Sequence, residues 1–381
     1  MARWHVACSR ATAMSCPRLH WSSVLPLVLF AACGEVEEGQ GPWVGMGDGE
    51  STGDAGDGAD DDLDDEVTGD PTMADDDHGG DAHESVSTGD EGQDGGEAHE
   101  DDGTAEGGES GGVDCPDNCY CEPIDPEADI SDLEQGYDAG AWAQTMADVL
   151  DRRWPAGAAL VADLQGDPYF GAFTDTSSFT GLMDGFMTEI HEGTHGWDYG
   201  HAGVDTFAYF LRGDLQFEVA KIHGFDRSEI YGMLTDDSTS LYADLYLTGT
   251  QGTYGFYELL DEMNCYINGM AAIGVVGEYI PYGISGRDGA VAFLYYLELY
   301  LKRARTNYPD LYAQLKGDPE YVDLVRTQWL RTHFLMIYAA DLHDHLGISD
   351  DAIEVNLYAP ENQSEIEMFI DHAVDASNCL P

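Results

Sequence analysis

Basic residues are scarce in this sequence. Only 15 of its 381 residues are Lys or Arg, whereas 74 are Asp or Glu, and the formal net charge at pH 7 is −59. Because so acidic a surface repels phosphate groups, the composition argues against nucleic acid and anionic lipid headgroups as partners. The imbalance is greatest in residues 34–114, which contain 29 acidic residues and no Lys or Arg.

Residues 34–114 also have almost no aliphatic side chains and consist mostly of Gly, Asp, Glu, Ser, Thr and Ala. A segment of this kind cannot bury enough apolar surface to offset the entropy lost on ordering. We therefore predict a disordered tether that charge repulsion keeps extended. The remaining 267 residues, 115–381, are predicted to form one folded domain. A domain of this size buries roughly 70 to 75% of its unfolded surface.

A long apolar run is missing at the N-terminus. The apolar stretch at residues 24–32 is about nine residues long, which is too short for a stable membrane span but typical of a secretory signal. Its end, Leu29-Phe30-Ala-Ala-Cys33-Gly34, resembles a bacterial lipoprotein signal, with Phe30 where that family prefers leucine. The resemblance implies a signal peptide at 1–33, a membrane anchor through lipidated Cys33, and an outer-membrane or cell-surface location. An ordinary signal peptide cleaved nearby is the alternative, and it also exports the chain.

Five cysteines follow the tether. Because exported thiols usually oxidise, we expect one or two disulfides and at least one remaining thiol. The spacing of the first three is not that of a paired zinc knuckle, so a disulfide-pinned N-terminus is favoured. The five are Cys115, Cys119, Cys121, Cys265 and Cys379.

The domain is predicted to be mainly α, with α+β and a small sheet as the variation. Apolar residues recur at helical spacing in most of its length. Candidates for strands are few, and the best one lies near Ala158–Leu164. The predicted helices cover residues 136–153, 180–199, 227–247, 255–279, 290–306 and 319–346.

One string within the predicted helix 180–199 carries chemistry. His191-Glu192-Gly193-Thr194-His195 matches the pattern H-E-x-x-H. Since residues four apart share a helix face, His191 and His195 can bind one Zn²⁺, and Glu192 can act as general base on a water at the metal. The motif resembles that of zinc metallopeptidases, which implies a zincin-like helical domain and a peptide or protein substrate.

Two residues are candidates for a third zinc ligand. The first is Glu262, which lies among large apolar residues of the predicted helix 255–279, where a carboxylate is costly unless it is paired or bound to a metal. Its position, with 66 residues between it and His195, resembles the gluzincin peptidases, whose third ligand is a glutamate on a separate downstream helix. In that arrangement Asp198 would hold a ligand imidazole through a hydrogen bond.

The second candidate is His201. The run from His191 to His201 has the spacing of the metzincin signature H-E-x-x-H-x-x-G-x-x-H, except that Asp198 replaces the glycine of that family. That glycine permits a sharp turn, and Asp can adopt the left-handed conformation only at some cost. A methionine turn would also be required, and Met233 is the best candidate for it.

A peptidase also needs a group that stabilises the developing oxyanion. Tyr266, one turn after Glu262 on the same helix face, is the first candidate, and the others are His223, Arg227 and Tyr279. A further group of polar residues at 343–345, His-Asp-His, is interpreted as a solvated helix end, because residues two apart on a helix do not face each other.

The sequence therefore predicts an exported, lipid-anchored zinc peptidase. The alternative is a surface lipoprotein that binds a ligand or partner and keeps a structural or degenerate zinc site. A catalytic site retains its metal and its fold when the general base is replaced, whereas loss of a structural zinc unfolds the domain.

Overall fold

The structure is a computed structural model that describes residues 119–374 apart from 169, 235–239 and 343. The predicted signal peptide, the predicted lipidation site at Cys33 and the predicted tether lie outside these residues. Cys115, Cys379 and His343 also lie outside them.

Helices dominate this part of the chain: 67% of it is helical and 5% is strand, which confirms the predicted mainly α fold. Short 3-10 helices connect several of the α-helices. The α-helices are α1 (Ser131–Gln135), α2 (Trp142–Arg153), α3 (Pro155–Leu164), α4 (Phe179–His201), α5 (Ser240–Tyr246), α6 (Phe256–Gly274), α7 (Gly286–Asn307), α8 (Pro309–Lys316), α9 (Pro319–Leu342), α10 (Asp350–Leu357) and α11 (Pro360–Ile370).

Helices α6 and α7 form the centre of the fold. Every residue of α6 except Tyr257 is buried, as is every residue of α7 from Gly286 to Leu301. Helices buried on all sides belong to a core rather than to a surface layer. Helices α4 and α9 pack on α6, and α10 and α11 pack on α7. Each fully buried Leu or Phe contributes about 1.5–3 kcal/mol, so this pair of helices carries much of the hydrophobic stabilisation.

Helix α4 lies where the sequence predicts it and ends two residues later, at His201. Its start is fixed by Ser178, whose hydroxyl oxygen accepts a hydrogen bond from the backbone N–H of Gly181 at 3.1 Å. Leu182, Phe186 and Ile190 are fully buried. The helix of the H-E-x-x-H motif is therefore packed against α3, α6 and the first strand.

A two-stranded antiparallel hairpin follows α4. Strand β1 (Thr206–Arg212) pairs with β2 (Leu215–Ala220), with Phe207 opposite Val219 and Tyr209 opposite Phe217. Residues 207–211 of β1 are all buried, and the strand packs on α4. The hairpin thus closes one side of the helical core.

The predicted strand near Ala158–Leu164 is wrong, because these residues belong to α3. Pro155 occupies the first turn of α3, where its fixed φ suits a helix and its missing N–H costs nothing. The alanines that follow have the highest intrinsic helix propensity. Local propensity and a proline at the helix start therefore outweigh the short apolar run.

The helix predicted over 227–247 is not continuous, and only its last part is an α-helix. Arg227–Met233 forms a 3-10 helix, Leu234 has an extended backbone, and α5 begins only at Ser240. Arg227 is fully buried, and its Nε donates to the carbonyls of Tyr246 and Gln251 at 2.8 and 2.7 Å. Tertiary hydrogen bonds to this arginine override the helical periodicity. Two further helices end earlier than predicted, α6 at Gly274 and α9 at Leu342.

Among the described residues, the cysteines divide into disulfide-bonded and free ones, as the sequence predicts. Cys119 and Cys121 each take part in a disulfide, and Cys265 is a free, buried thiol. No helix in residues 119–374, outside the gaps given above, is long and apolar enough to cross a lipid bilayer.

Glu298 on α7 is a fully buried carboxyl group, and within the part of the chain that the structure describes neither of its oxygens accepts a hydrogen bond. Burial raises the pKa of Glu298 well above its usual range, the Glu365 carboxylate raises it further, and Lys302 opposes the shift. Since the pKa is higher in the folded than in the unfolded chain, the contribution of this group to stability is greatest at low pH. It is lost as the pH rises through the folded-state pKa.

We expect Glu298→Met to raise the free energy of unfolding by about 1–3 kcal/mol at about pH 8, because it removes a buried carboxyl group without a partner. The gain should shrink at about pH 5, where the folded protein holds Glu298 neutral. Urea unfolding of wild type and variant at both pH values measures this, with Glu361→Met at an exposed position of α11 as the control. A gain that is equal at both pH values would contradict the prediction.

Candidate metal centre

The two histidines of the motif project from α4 toward α6. His191 and His195 lie one turn apart on the same face, and their ring centroids are 5.0 Å apart with an interplanar angle of 77°. Glu262 reaches them from α6. The predicted pairing of a motif helix with a downstream glutamate helix is therefore present in the fold.

The three side chains converge on one point. The Nε2 atoms of His191 and His195 lie 4.0 and 3.5 Å from Oε2 of Glu262, and the three donor atoms lie within 4.8 Å of one another. In a tetrahedral site, ligands about 2.0–2.2 Å from Zn²⁺ are about 3.3–3.6 Å apart. All three residues are buried. These residues form a group that could hold a metal ion.

One orphaned atom supports that interpretation. Nε2 of His195 is buried and makes no hydrogen bond to any described residue, while Nδ1 of the same ring lies 2.8 Å from Oδ2 of Asp261. An imidazole that is held through one nitrogen and presents the other without a hydrogen bond has the arrangement of a metal ligand. The donor set of two imidazoles and a carboxylate suits Zn²⁺.

Asp261 is a residue that the sequence analysis did not identify. Asp198 was the predicted partner of a ligand imidazole, and this prediction is wrong. Asp198 instead accepts hydrogen bonds from the backbone N–H of Phe210 and from Nδ2 of Asn264, both at 2.8 Å. A signal was available, because Asp261 precedes Glu262 in the same buried apolar helix. The spacing to the two histidines selected only the adjacent Glu262.

Burial and neighbouring charges give the three groups different affinities for protons. Burial lowers the pKa of His191 to about 3, and the nearby His195 acts in the same direction. Burial also opposes protonation of His195, but Asp261, Cys265 and Glu262 prevail and raise its pKa well above the usual range. Burial opposes ionisation of Glu262, yet His195 and then Arg227 hold its pKa below the usual range. Glu262 is thus held as a carboxylate.

Glu192 lies beside the ligands on α4, and burial raises its pKa to about 7. It lines a small cavity with Leu164 of α3 and with Phe170 and Phe173 of the following loop. Glu189, one turn earlier on α4, fixes that loop by accepting hydrogen bonds from the backbone N–H groups of Gly171 and Phe173 at 2.6 and 3.1 Å. The predicted general base therefore borders a cavity with a fixed apolar wall.

Tyr266 contacts the site through its ring. The ring packs edge-on against His191, with 4.5 Å between centroids, and the hydroxyl lies 2.7 Å from the hydroxyl of Tyr246. Gly289 of α7 permits this packing, because a Cβ at that position would lie 2.1 Å from the Tyr266 ring. Tyr266 thus supports a ligand imidazole, and its predicted role toward an oxyanion stays a prediction.

His201 lies apart from this group. Its ring stacks on Trp197 with 3.9 Å between centroids, and its Nδ1 lies 2.9 Å from the Trp197 carbonyl oxygen. The metzincin arrangement requires the chain to turn after the second histidine, but α4 continues to His201 because Asp198 keeps a helical position and anchors the strand β1. Met233 ends a 3-10 helix instead of forming a methionine turn at this site.

The remaining candidates lie in other surroundings. His223 is half-exposed beside Asp226 and Glu258, at 3.5 and 3.6 Å. Tyr279 lies in a 3-10 helix and packs on Phe179. His343 lies outside the described residues, and neither Asp344 nor His345 belongs to a group of described residues that could hold a metal ion.

No protein-family model, curated protein or solved structure matches this chain. The function is therefore inferred from the geometry and chemistry of the site.

We expect Asp261→Asn to lower the affinity for Zn²⁺ by about 10- to 100-fold, because the amide cannot hold and polarise the His195 ring as the carboxylate does. Competition with a chromophoric chelator measures the affinity, and circular dichroism checks the fold. Asp184→Asn, on the exposed side of α4, is the control and should bind like wild type. Equal affinities of the Asp261 and Asp184 variants would refute the role of Asp261.

Proposed function

We propose that this protein is an exported, lipid-anchored zinc metallopeptidase that hydrolyses peptide bonds of peptides or proteins. The observation that supports it is the convergence of His191, His195 and Glu262 in a buried group whose three donor atoms lie within 4.8 Å of one another. The first two come from one H-E-x-x-H helix, and the third lies on α6, 67 residues after His195. Three protein ligands leave a fourth position for chemistry.

A zinc ion held by these residues would supply a Lewis acid that acidifies water and polarises a peptide carbonyl. Glu192 would take the proton of the attacking water and return it to the leaving amine. Burial of Glu192 favours this proton transfer, because a carboxylate shielded from water is a stronger base than one in water. Asp261 orients His195, and Tyr266 supports the ring of His191.

The cell-surface location rests on the N-terminal sequence. A lipid on Cys33 would anchor the chain, and the acidic segment 34–114 would hold the domain away from the membrane. The net charge of −33 in residues 115–381 favours encounter with cationic peptides, since charge steers diffusion.

The alternative function is a surface lipoprotein that binds a ligand or partner and retains a structural zinc. One observation favours it: the ligand side chains are only 5 to 10% exposed, as in closed structural sites. The two functions differ in what happens when Glu192 is replaced.

We expect about one zinc per chain in the purified domain, and loss of that zinc in His191→Ala and Glu262→Ala. His201→Ala should keep its zinc, because His201 lies outside the group. Elemental analysis after dialysis measures the stoichiometry. A chain that keeps zinc without Glu262 but loses it without His201 would have a metzincin-like site, and a wild-type chain without zinc would overturn the proposal.

Glu192→Gln separates the two functions. We expect this variant to keep its zinc and its melting temperature and to lose hydrolysis by about 10²- to 10⁴-fold, because an amide cannot accept the proton. Mass spectrometry of a mixed peptide digest incubated with the zinc-loaded wild type and variant measures cleavage. Equal cleavage by both proteins would exclude Glu192 as the base, and no cleavage by a zinc-loaded wild type would favour the binding lipoprotein.

A further inference from the structure

Two buried asparagines of α6 hold it against α4 and β1. Nδ2 of Asn264 donates to Oδ2 of Asp198 at 2.8 Å and to the Phe210 carbonyl at 3.0 Å. One turn later, Nδ2 of Asn268 donates to Oγ1 of Thr194 at 3.2 Å and to the same carbonyl at 3.0 Å. Thr194 directly precedes the ligand His195, so the amide of Asn268 helps to fix the helix that carries both histidines.

The orientation of the Asn268 amide is set by Arg331 of α9. Nη1 of this fully buried arginine donates to Oδ1 of Asn268 at 2.7 Å. Because the amide oxygen is held by a cation, the NH₂ group must face Thr194 and the Phe210 carbonyl. A rotated amide would place NH₂ against the guanidinium.

The counter-charge of Arg331 comes from the start of the described chain. Nε and Nη2 of Arg331 lie 3.3 and 3.5 Å from the two carboxylate oxygens of Glu122, and both side chains are fully buried. Trp154 and Tyr120 also donate to this carboxylate, at 3.2 and 2.7 Å. A buried arginine without its carboxylate is strongly unfavourable.

The segment that carries Glu122 is fixed independently. Cys119 and Cys121 are disulfide-bonded, and Nη1 of Arg212, at the end of β1, donates to the Cys121 carbonyl at 3.1 Å. The Tyr120 ring packs edge-on against Phe334 of α9. The segment 119–122 is therefore held against β1 and α9, the helix that carries Arg331.

We propose that Glu122 is a positioning residue of the metal centre, acting through Arg331 and Asn268 on the helix of His191 and His195. This inference rests on the proposed metal site. It makes correct seating of the disulfide-bonded segment 119–122 a requirement for tight metal binding. The part of the domain that follows the predicted tether thereby sets the affinity of a site formed by residues far along the chain.

Glu122→Gln tests the proposal in the full domain. We expect it to weaken Zn²⁺ binding by about 10- to 100-fold and to alter the absorption spectrum of the Co²⁺-loaded protein, which reports ligand geometry at saturation. Glu278→Gln is the matched control, because it breaks a partly exposed ion pair with Arg153. The control should leave both affinity and spectrum unchanged.

A double variant separates positioning from simple stabilisation. Glu122→Met with Arg331→Met removes both buried charges together, so it avoids the unpaired buried arginine that Glu122→Met alone would leave. Asn268 still lacks its donor in this variant, so we expect its melting temperature to exceed that of Glu122→Met while Zn²⁺ affinity and the Co²⁺ spectrum stay changed.

Two results would overturn the inference. The first is a Glu122→Gln protein with wild-type affinity and spectrum, and the second is a double variant that regains both, since the ion pair would then act only on stability. A wild-type chain that binds neither Zn²⁺ nor Co²⁺ would instead overturn the metal centre itself, and this inference with it.

Discussion

The contact on which the candidate site depends is the polar clamp between α4 and α6. Asn264 and Asn268 donate from α6 to Asp198 and Thr194 of α4 and share the Phe210 carbonyl of β1. Apolar packing alone permits helices to slide or rotate, because hydrophobic contact has no direction. Buried amides are costly unless they are hydrogen-bonded, so they permit one register. In that register Glu262 lies beside the two histidines of α4.

The same burial that fixes the helices prepares the site for a cation. Glu192, Asp261 and Glu262 lie near one another in an acidic chain, and burial makes carboxylates harder to ionise. His191 is held neutral because its pKa is lowered to about 3 by burial and by His195. A neutral imidazole and an ionised Glu262 are the forms that bind a divalent metal, whereas His195, whose pKa is raised by Asp261, would release a proton when the metal binds. A metal ion would also offset the charge that these acids concentrate in the core.

Where the sequence analysis succeeded, the decisive signal was local. Mainly helical folding, α4 and the shared face of His191 and His195 follow from periodicity and from spacing along one helix. Local patterns did not predict the features that depend on contacts between residues far apart in the sequence. Arg227 donates hydrogen bonds to the carbonyls of Tyr246 and Gln251, and these bonds replace the continuous helix predicted over 227–247. Asp198 faces β1, which the sequence does not place beside it, and Asp261 therefore supports His195 instead.

The sequence by itself determined the candidate ligand types, because the polar residues of an H-E-x-x-H helix and a carboxylate in an apolar helix are costly to bury unless they are paired or bind a metal. It could not decide between Glu262 and His201, since spacing along the chain says little about distance in space. The tertiary structure brings Glu262, and not His201, to the two histidines. Packing of α6 on α4 brings Oε2 of Glu262 to 3.5 Å from Nε2 of His195. Continuation of α4 leaves His201 stacked on Trp197, since a regular helix cannot place residues six apart on one face.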